Sequence, residues 1–135
     1  MPTILFLCPH NAAKGILAEA YFNHRVPSTG SPFQADSAGT EPDDQIWPSV
    51  VALLAQEGIA LPPKKIPRRV MSTDLRTAYR VISMGCAVAD LANVSHPILL
   101  WDAIPLASVD LAGAWAAIRV HVDALITGLA ATIQA

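Results

Sequence analysis

The stretch "TILFLCPHNAAKGILAEA", residues 3–20, decides how the chain is read. An apolar run, Thr3–Leu7, ends in Cys8. A short polar loop follows. Ile16, Leu17, Ala20 and Tyr21 then recur at helical spacing. This is a buried strand, a loop and a helix. Cys8 is then either a nucleophile over an anion-binding loop or a small apolar residue at a strand end.

The same alternation continues along the chain. Gln34–Ser37 reads as a second strand, closed by Gly39. Trp47, Val50, Val51 and Leu54 make an i, i+3, i+4, i+7 face, with Pro48 in a first turn and Gly58 as a stop. "LPPKKIPRR", residues 61–69, carries three prolines and four basic residues and predicts an irregular extended loop. Val81–Met84 and Pro97–Trp101 predict two more buried strands. Leu111, Trp115, Ile118, Val122, Leu125 and Leu129, spaced 4, 3, 4, 3, 4, predict a long amphipathic terminal helix. Strands alternating with helices imply an α/β fold, a parallel sheet covered on both faces.

Composition narrows the function. At 135 residues the chain reads as a single domain, 1–135. It is 53% hydrophobic and 15% charged, enough for a real core. A net charge of -2 gives no electrostatic case for nucleic acid or an anionic membrane. Two cysteines cannot build a secreted disulfide framework and fit a reducing cytosol. The N-terminus has no charged leader region, and its apolar run is short for a signal core. No uninterrupted apolar stretch reaches the ~18–20 residues of a membrane span. The C-terminal segment comes closest, interrupted by Asp110, Arg119, His121 and Asp123. A cytoplasmic protein is expected, with no cofactor and no metal.

Cys8 ends the first strand, and in open α/β sheets ligands bind beyond the carboxyl ends of strands. Loop amides and a helix N-terminus converge there, which favours an anion and lowers a thiol pKa. Lys14 adds a positive charge. A thiolate beneath a tetrahedral oxyanion is a coherent site.

"LFLCPHNAAKGILAEAYF", "DSAGTEP" (36–42) and "VISMGC" (81–86) together resemble the low-molecular-weight protein tyrosine phosphatase family, which includes the thiol-dependent arsenate reductases. The resemblance covers nearly the whole chain. It implies a three-layer α/β/α fold with a four-stranded parallel sheet in the order 2-1-3-4. It implies Cys8 as nucleophile and an oxyanion loop of Pro9, His10, Asn11, Ala12, Ala13, Lys14 and Gly15. Asn11 and Ser37 would brace that loop, and Glu19 fits the family's first helix. The partner implied is a phosphate-like oxyanion or a phosphorylated substrate.

The departures shape the chemistry. The family Arg is Lys14, a point charge instead of a planar fork. The family Ser or Thr is Gly15, so a hydroxyl beside the thiolate is missing. His10 replaces a common Gly, and its bulk is expected to alter the loop backbone. The general acid belongs to an Asp-Pro pair, which this sequence lacks. Asp102 is the nearest carboxylate, as a general acid or as a helix cap or surface group. Loss of such an acid typically costs about 10²–10⁴-fold in rate.

In the implied strand order Cys8 and Cys86 follow neighbouring strands, ~4.8 Å apart. Modest loop movement could bring them within the ~7 Å between Cα atoms that a disulfide needs. Cys86 is then a redox partner in the arsenate reductase manner, or plain packing. Asp90 and Asn93 fall near the places of a third redox cysteine, and His96 reads as a loop residue. Arg68 or Arg69 would bring further positive charge to the mouth. The terminal helix, low in charge, allows a homodimer contact. The functional readings are therefore a phosphatase or arsenate reductase-like enzyme with slow turnover, a non-catalytic oxyanion- or phospho-partner-binding module, or a Cys8/Cys86 redox sensor.

Overall fold

Thr3–Leu7 forms β1, and its side chains alternate between two buried faces as a strand requires. Ile4 and Phe6 enter the larger core, and Leu5 and Leu7 the smaller one. A computed structural model describes residues 2–86 and 98–134. The elements after β1 are α1 (Lys14–Thr29), β2 (Gln34–Ala38), α2 (Pro48–Gln56), α3 (Ser72–Thr77), β3 (Arg80–Ser83), β4 (Ile98–Leu100) and α4 (Leu111–Gln134). The sheet has four strands in the order β2-β1-β3-β4, all pairs parallel. This is the order the resemblance implied.

The thick side of the sheet carries α1 and α4, packed through Leu17, Phe22, Trp115, Ile118 and Val122. Phe6 sits beneath them, its ring centroid 6.2 Å from Phe22 and 5.6 Å from Trp101. Fully burying such a side chain contributes about 1.5–3 kcal/mol. The thin side is closed by Leu75 and Ala78 with Val70. α3, which supplies Leu75, has no counterpart in the sequence reading. Six residues are too short for a periodic signal, and Asp74 starts the helix by accepting the Met71 amide at 2.7 Å.

Two expectations need correction. Val51 was assigned to the inner face of α2 but is exposed, because Val50 and Leu54 already fill the contact. The last strand was expected to be buried, yet Leu99 and Leu100 of β4 are exposed. β4 is the edge of the sheet, paired among the described residues only with β3. By length and composition α4 could cross a membrane, but its inner face of Trp115, Ile118, Val122 and Leu129 is buried in the core. Asp90, Asn93 and His96 lie outside the described residues.

β1 has a neighbour on each side, so the chain leaves it in one direction to β2 and later pairs in the other direction through β3. The strand order reverses there, and a ligand site forms at such a switch. Leu7 pairs with Ala38 and with Ser83, so the segments starting at Cys8, Gly39 and Met84 emerge side by side.

Candidate active site

The loop from Cys8 to Ala13 is held from outside by its carbonyls. Pro9 O accepts from the Glu41 amide (2.7 Å), His10 O from Asp43 (2.9 Å) and Ala12 O from Trp47 (3.1 Å). In a trans peptide the carbonyl and the following N–H point in opposite directions. Tying these carbonyls outward therefore turns the amides of His10, Asn11 and Ala13 inward. Pro9 was counted among the oxyanion-binding residues, but it has no N–H and contributes only its ring to the wall.

The inward amides meet the start of α1. That helix has no side-chain cap and no acidic residue in its first turn. A helix start of this kind favours an anion, which its first-turn N–H groups can receive. The Gly15 amide donates to Cys8 Sγ across 3.3 Å. Lys14 forms no ion pair among the described residues, and its Nζ lies 4.0 Å from where a Cβ on Gly85 would stand. Its ammonium is thus over the end of β3, beside the cavity.

The brace beneath the loop is a buried polar chain. Asn11 adopts φ 50°, in the left-handed region, and is fully buried. Asn is one of the few residues that accept this conformation. Its Nδ2 donates to Ser37 Oγ (2.9 Å), and its Oδ1 accepts from the Arg68 amide (2.8 Å). Ser37 donates in turn to Glu19 Oε1 (2.6 Å). Lys65 Nζ meets the same Glu19 oxygen at 2.8 Å and Asp36 at 3.3 Å. The structure thus joins Asn11 and Ser37 as expected. His10 does not take a positive φ. The strained step falls on Asn11 instead, so a side chain at position 10 needs no change of backbone.

Glu19 and Lys65 carry a role in the brace that sequence reasoning did not assign. A carboxylate in the middle of an apolar helix face was the available signal, since buried charges are paired. Arg68 and Arg69 do not face the mouth. Arg68 is held by Asp36 (2.8 Å) and Asp74 (2.8 Å), and Arg69 donates to Thr40 O (2.7 Å). Burial alone would raise the Asp36 carboxyl. The Ser37 amide, Arg68 and Lys65 outweigh it and hold the group below the usual carboxylate range. Gly39 packs against the loop so closely that a Cβ would lie 2.5 Å from Pro9 O and 2.9 Å from Cys8 O. That explains the Gly in "DSAGT".

Cys8 is buried, 4% exposed, on the floor of a cavity of about 350 Å³. Burial pushes its thiol above the ordinary value. The Gly15 and Asn11 amides, the Lys14 charge and the Ala12 amide pull it down without overcoming burial. The lowered thiol expected from the helix start is therefore reversed by burial. Cys86 is half-buried, and burial raises its thiol too; Thr40 lowers it, and the nearby Cys8 raises it further. The two thiols are free, and Cys86 is close enough to feel the charge of Cys8.

The cavity walls are Trp47, Met84, Leu106 and Ala107, with His10 at the rim. Asp102 is exposed on the turn after β4 and does not line the cavity. Leu106, Ala107 and Ser108 occupy that side of the mouth instead, and among the described residues no lining residue is a carboxylate. Among the described residues no three His, Cys, Asp or Glu side chains cluster as a metal site.

The family profile described as "Low molecular weight phosphotyrosine protein phosphatase" matches residues 3–94, more than half of the chain. The chain belongs to the low molecular weight phosphotyrosine protein phosphatase family. Its fold is that of solved structures in and around this family. A thioredoxin-dependent arsenate reductase of Corynebacterium glutamicum is 24% identical at TM-score 0.80, over 98% of this chain. This chain spans 63% of that reductase's length. An arsenate reductase of Archaeoglobus fulgidus is 26% identical at TM-score 0.72, over 92% of this chain and 98% of that one. A low molecular weight protein tyrosine phosphatase of Streptococcus pyogenes is 18% identical at TM-score 0.80, covering 96% of this chain and 93% of that one. No curated protein sequence matches significantly. The matched span holds Cys8, Asn11 and Ser37, of which Asn11 and Ser37 are hydrogen-bonded to each other.

Proposed function

We propose that this chain is a thiol-dependent oxyanion enzyme of the phosphatase and arsenate reductase type, with slow turnover. The observation that carries this is the seating of Cys8 Sγ under the Gly15 amide, with loop carbonyls tied outward and an uncapped helix start. Cys8 attacks the phosphorus or arsenic centre. The loop amides and Lys14 stabilise the charge on the oxyanion oxygens, which is where such a site supplies most of its rate. Asn11 and Ser37 keep the amides in place.

Two features slow the reaction. A thiol raised by burial is mostly protonated at neutral pH, and only the thiolate attacks well. Among the described residues no carboxylate lines the cavity to protonate a leaving group. Substrates whose leaving group departs unaided, such as activated aryl phosphates, are therefore favoured. Arsenate is the other candidate substrate, with Cys86 as the second thiol that releases arsenite by forming a disulfide with Cys8. The family setting fits a cytoplasmic protein that takes a phosphate-like oxyanion.

The raised thiol also supports a second reading, an oxyanion-binding module without turnover. Purified protein is assayed with 4-nitrophenyl phosphate and in thiol-coupled arsenate reduction, beside Cys8→Ser. Cys8-dependent turnover of either supports the enzyme. A phosphate-dependent rise in melting temperature with no turnover supports the binding module and overturns the enzyme.

A further inference from the structure

We propose that His10, oriented by Asp43, is the proton donor that takes over from the missing carboxylate. This rests on Cys8 acting as the nucleophile. Of the described side chains around the cavity, Cys8, His10, Lys14 and Ser108 can exchange a proton at all. Cys8 is the nucleophile and Lys14 is needed as a charge. A serine hydroxyl is a weak acid, whereas imidazole is the group most often used to give and take a proton in this role.

The geometry around His10 is that of an oriented catalytic imidazole. Its Nδ1 lies 3.1 Å from Glu41 O and 3.4 Å from Asp43 Oδ1. A carbonyl oxygen only accepts, so Nδ1 carries the hydrogen. Nε2 is left as the nitrogen that has no partner among the described residues, on a ring that lines the cavity rim. The same Asp43 accepts from Trp47 Nε1 at 3.2 Å through its other oxygen. One carboxylate thus fixes two side chains of the cavity wall. Asp43 is itself anchored, its amide donating to His10 O at 2.9 Å. Such a carboxylate holds the ring in orientation, which makes Asp43 a positioning residue.

The steps balance. As the Cys8 thiolate, the minor form of the free thiol, bonds to phosphorus and the ester P–O bond breaks, the Nε2 proton of the His10 imidazolium passes to the departing oxygen. In the second half, neutral His10 takes a proton at Nε2 from the water that attacks the phosphorylated Cys8. The S–P bond breaks, Cys8 leaves as thiolate, and inorganic phosphate and imidazolium remain.

The test is a leaving-group comparison on the full chain. His10→Asn keeps an N–H where Nδ1 donates to Glu41 O and removes Nε2. With phenyl phosphate, whose leaving group needs a proton, turnover falls about 10²-fold. With 4-nitrophenyl phosphate the fall is at least about tenfold smaller, because a leaving group that departs unaided gains less from an acid. Asp43→Asn shows the same contrast in weaker form. Equal losses on both substrates, or no loss on phenyl phosphate, overturn the role of His10 while leaving Cys8 as nucleophile. Absence of any Cys8-dependent turnover of 4-nitrophenyl phosphate by the unmodified protein overturns both.

Discussion

The Gly15 amide donates to the Cys8 sulfur at 3.3 Å, and a Cβ at position 15 would stand only 3.1 Å from that sulfur. The thiol therefore has backbone donors in Gly15, Asn11 and Ala12, and position 15 brings no hydroxyl to it. Gly15→Ser adds that hydroxyl at the cost of a shift of a few tenths of an ångström. Hydrogen bonding to the charged form favours it. The pH midpoint for alkylation of Cys8 should fall in Gly15→Ser, and turnover near neutral pH should rise. An unchanged or higher midpoint would mean that burial alone governs the thiol.

In the unmodified protein the same titration should give a midpoint above the ordinary thiol value of about 8.5. The direction follows from burial, which outweighs the amides and Lys14. A bound phosphate should protect Cys8 from alkylation, since it covers the floor of the cavity. A midpoint near or below the ordinary value contradicts the burial argument.

Lys14 is the loop's one fixed positive charge among the cavity-lining residues. A hydrogen bond to a charged group is worth about 1.5–3 kcal/mol. Lys14→Met should weaken phosphate binding about 10–100-fold by calorimetry. Lys14→Arg should bind at least as tightly as Lys and turn over faster, because its planar fork reaches two oxygens. Slower turnover in Lys14→Arg would show that the loop is built around the ammonium.

Glu19 is 3% exposed and relies on Lys65 and Ser37. Removing one partner of a buried ion pair costs about 3–5 kcal/mol. Lys65→Met should lower the unfolding free energy from urea titration by that amount, and Glu19→Gln by less, since the neutral amide leaves no buried anion. Equal, small effects would show that the pair is not screened from water.

Much of this was legible in the sequence, and the reasons differ by residue. β1 and α1 were readable because "ILFL" is a continuous apolar run and Ile16, Leu17 and Ala20 keep helical spacing. α4 was readable from its spacing for the same reason. The Cys8 loop, Asn11 and Ser37 were readable because each is a fixed residue type at a fixed place in a family pattern. The brace below them was not. Lys65 and Arg68 lie in a proline-rich loop where charge normally faces water, and only the folded chain shows that Glu19, Asp36 and Asp74 meet them. The exposure of Leu99 and Leu100 depends on β4 being an edge, which an apolar run does not reveal. The direction of the Cys8 shift depends on how much burial opposes the amides, and the sequence gives only the amides.

Asp36 lends stability whose sign is fixed by its shift. Its folded pKa is below the unfolded value of about 3.9. The stabilisation is therefore present above that value and lost as pH falls through the folded pKa. Asp36→Asn should flatten the fall in urea midpoint below about pH 4. An unchanged acid limb would assign the loss to other carboxylates.

The most direct measurement is to trap the covalent intermediate. The protein is mixed with 4-nitrophenyl phosphate, quenched in acid within one turnover, and its peptides are weighed by mass spectrometry. A phosphoryl group on the peptide carrying Cys8, absent in Cys8→Ser, is the predicted result. Release of nitrophenol with no phosphoryl group on Cys8 at any quench time would contradict a nucleophilic Cys8.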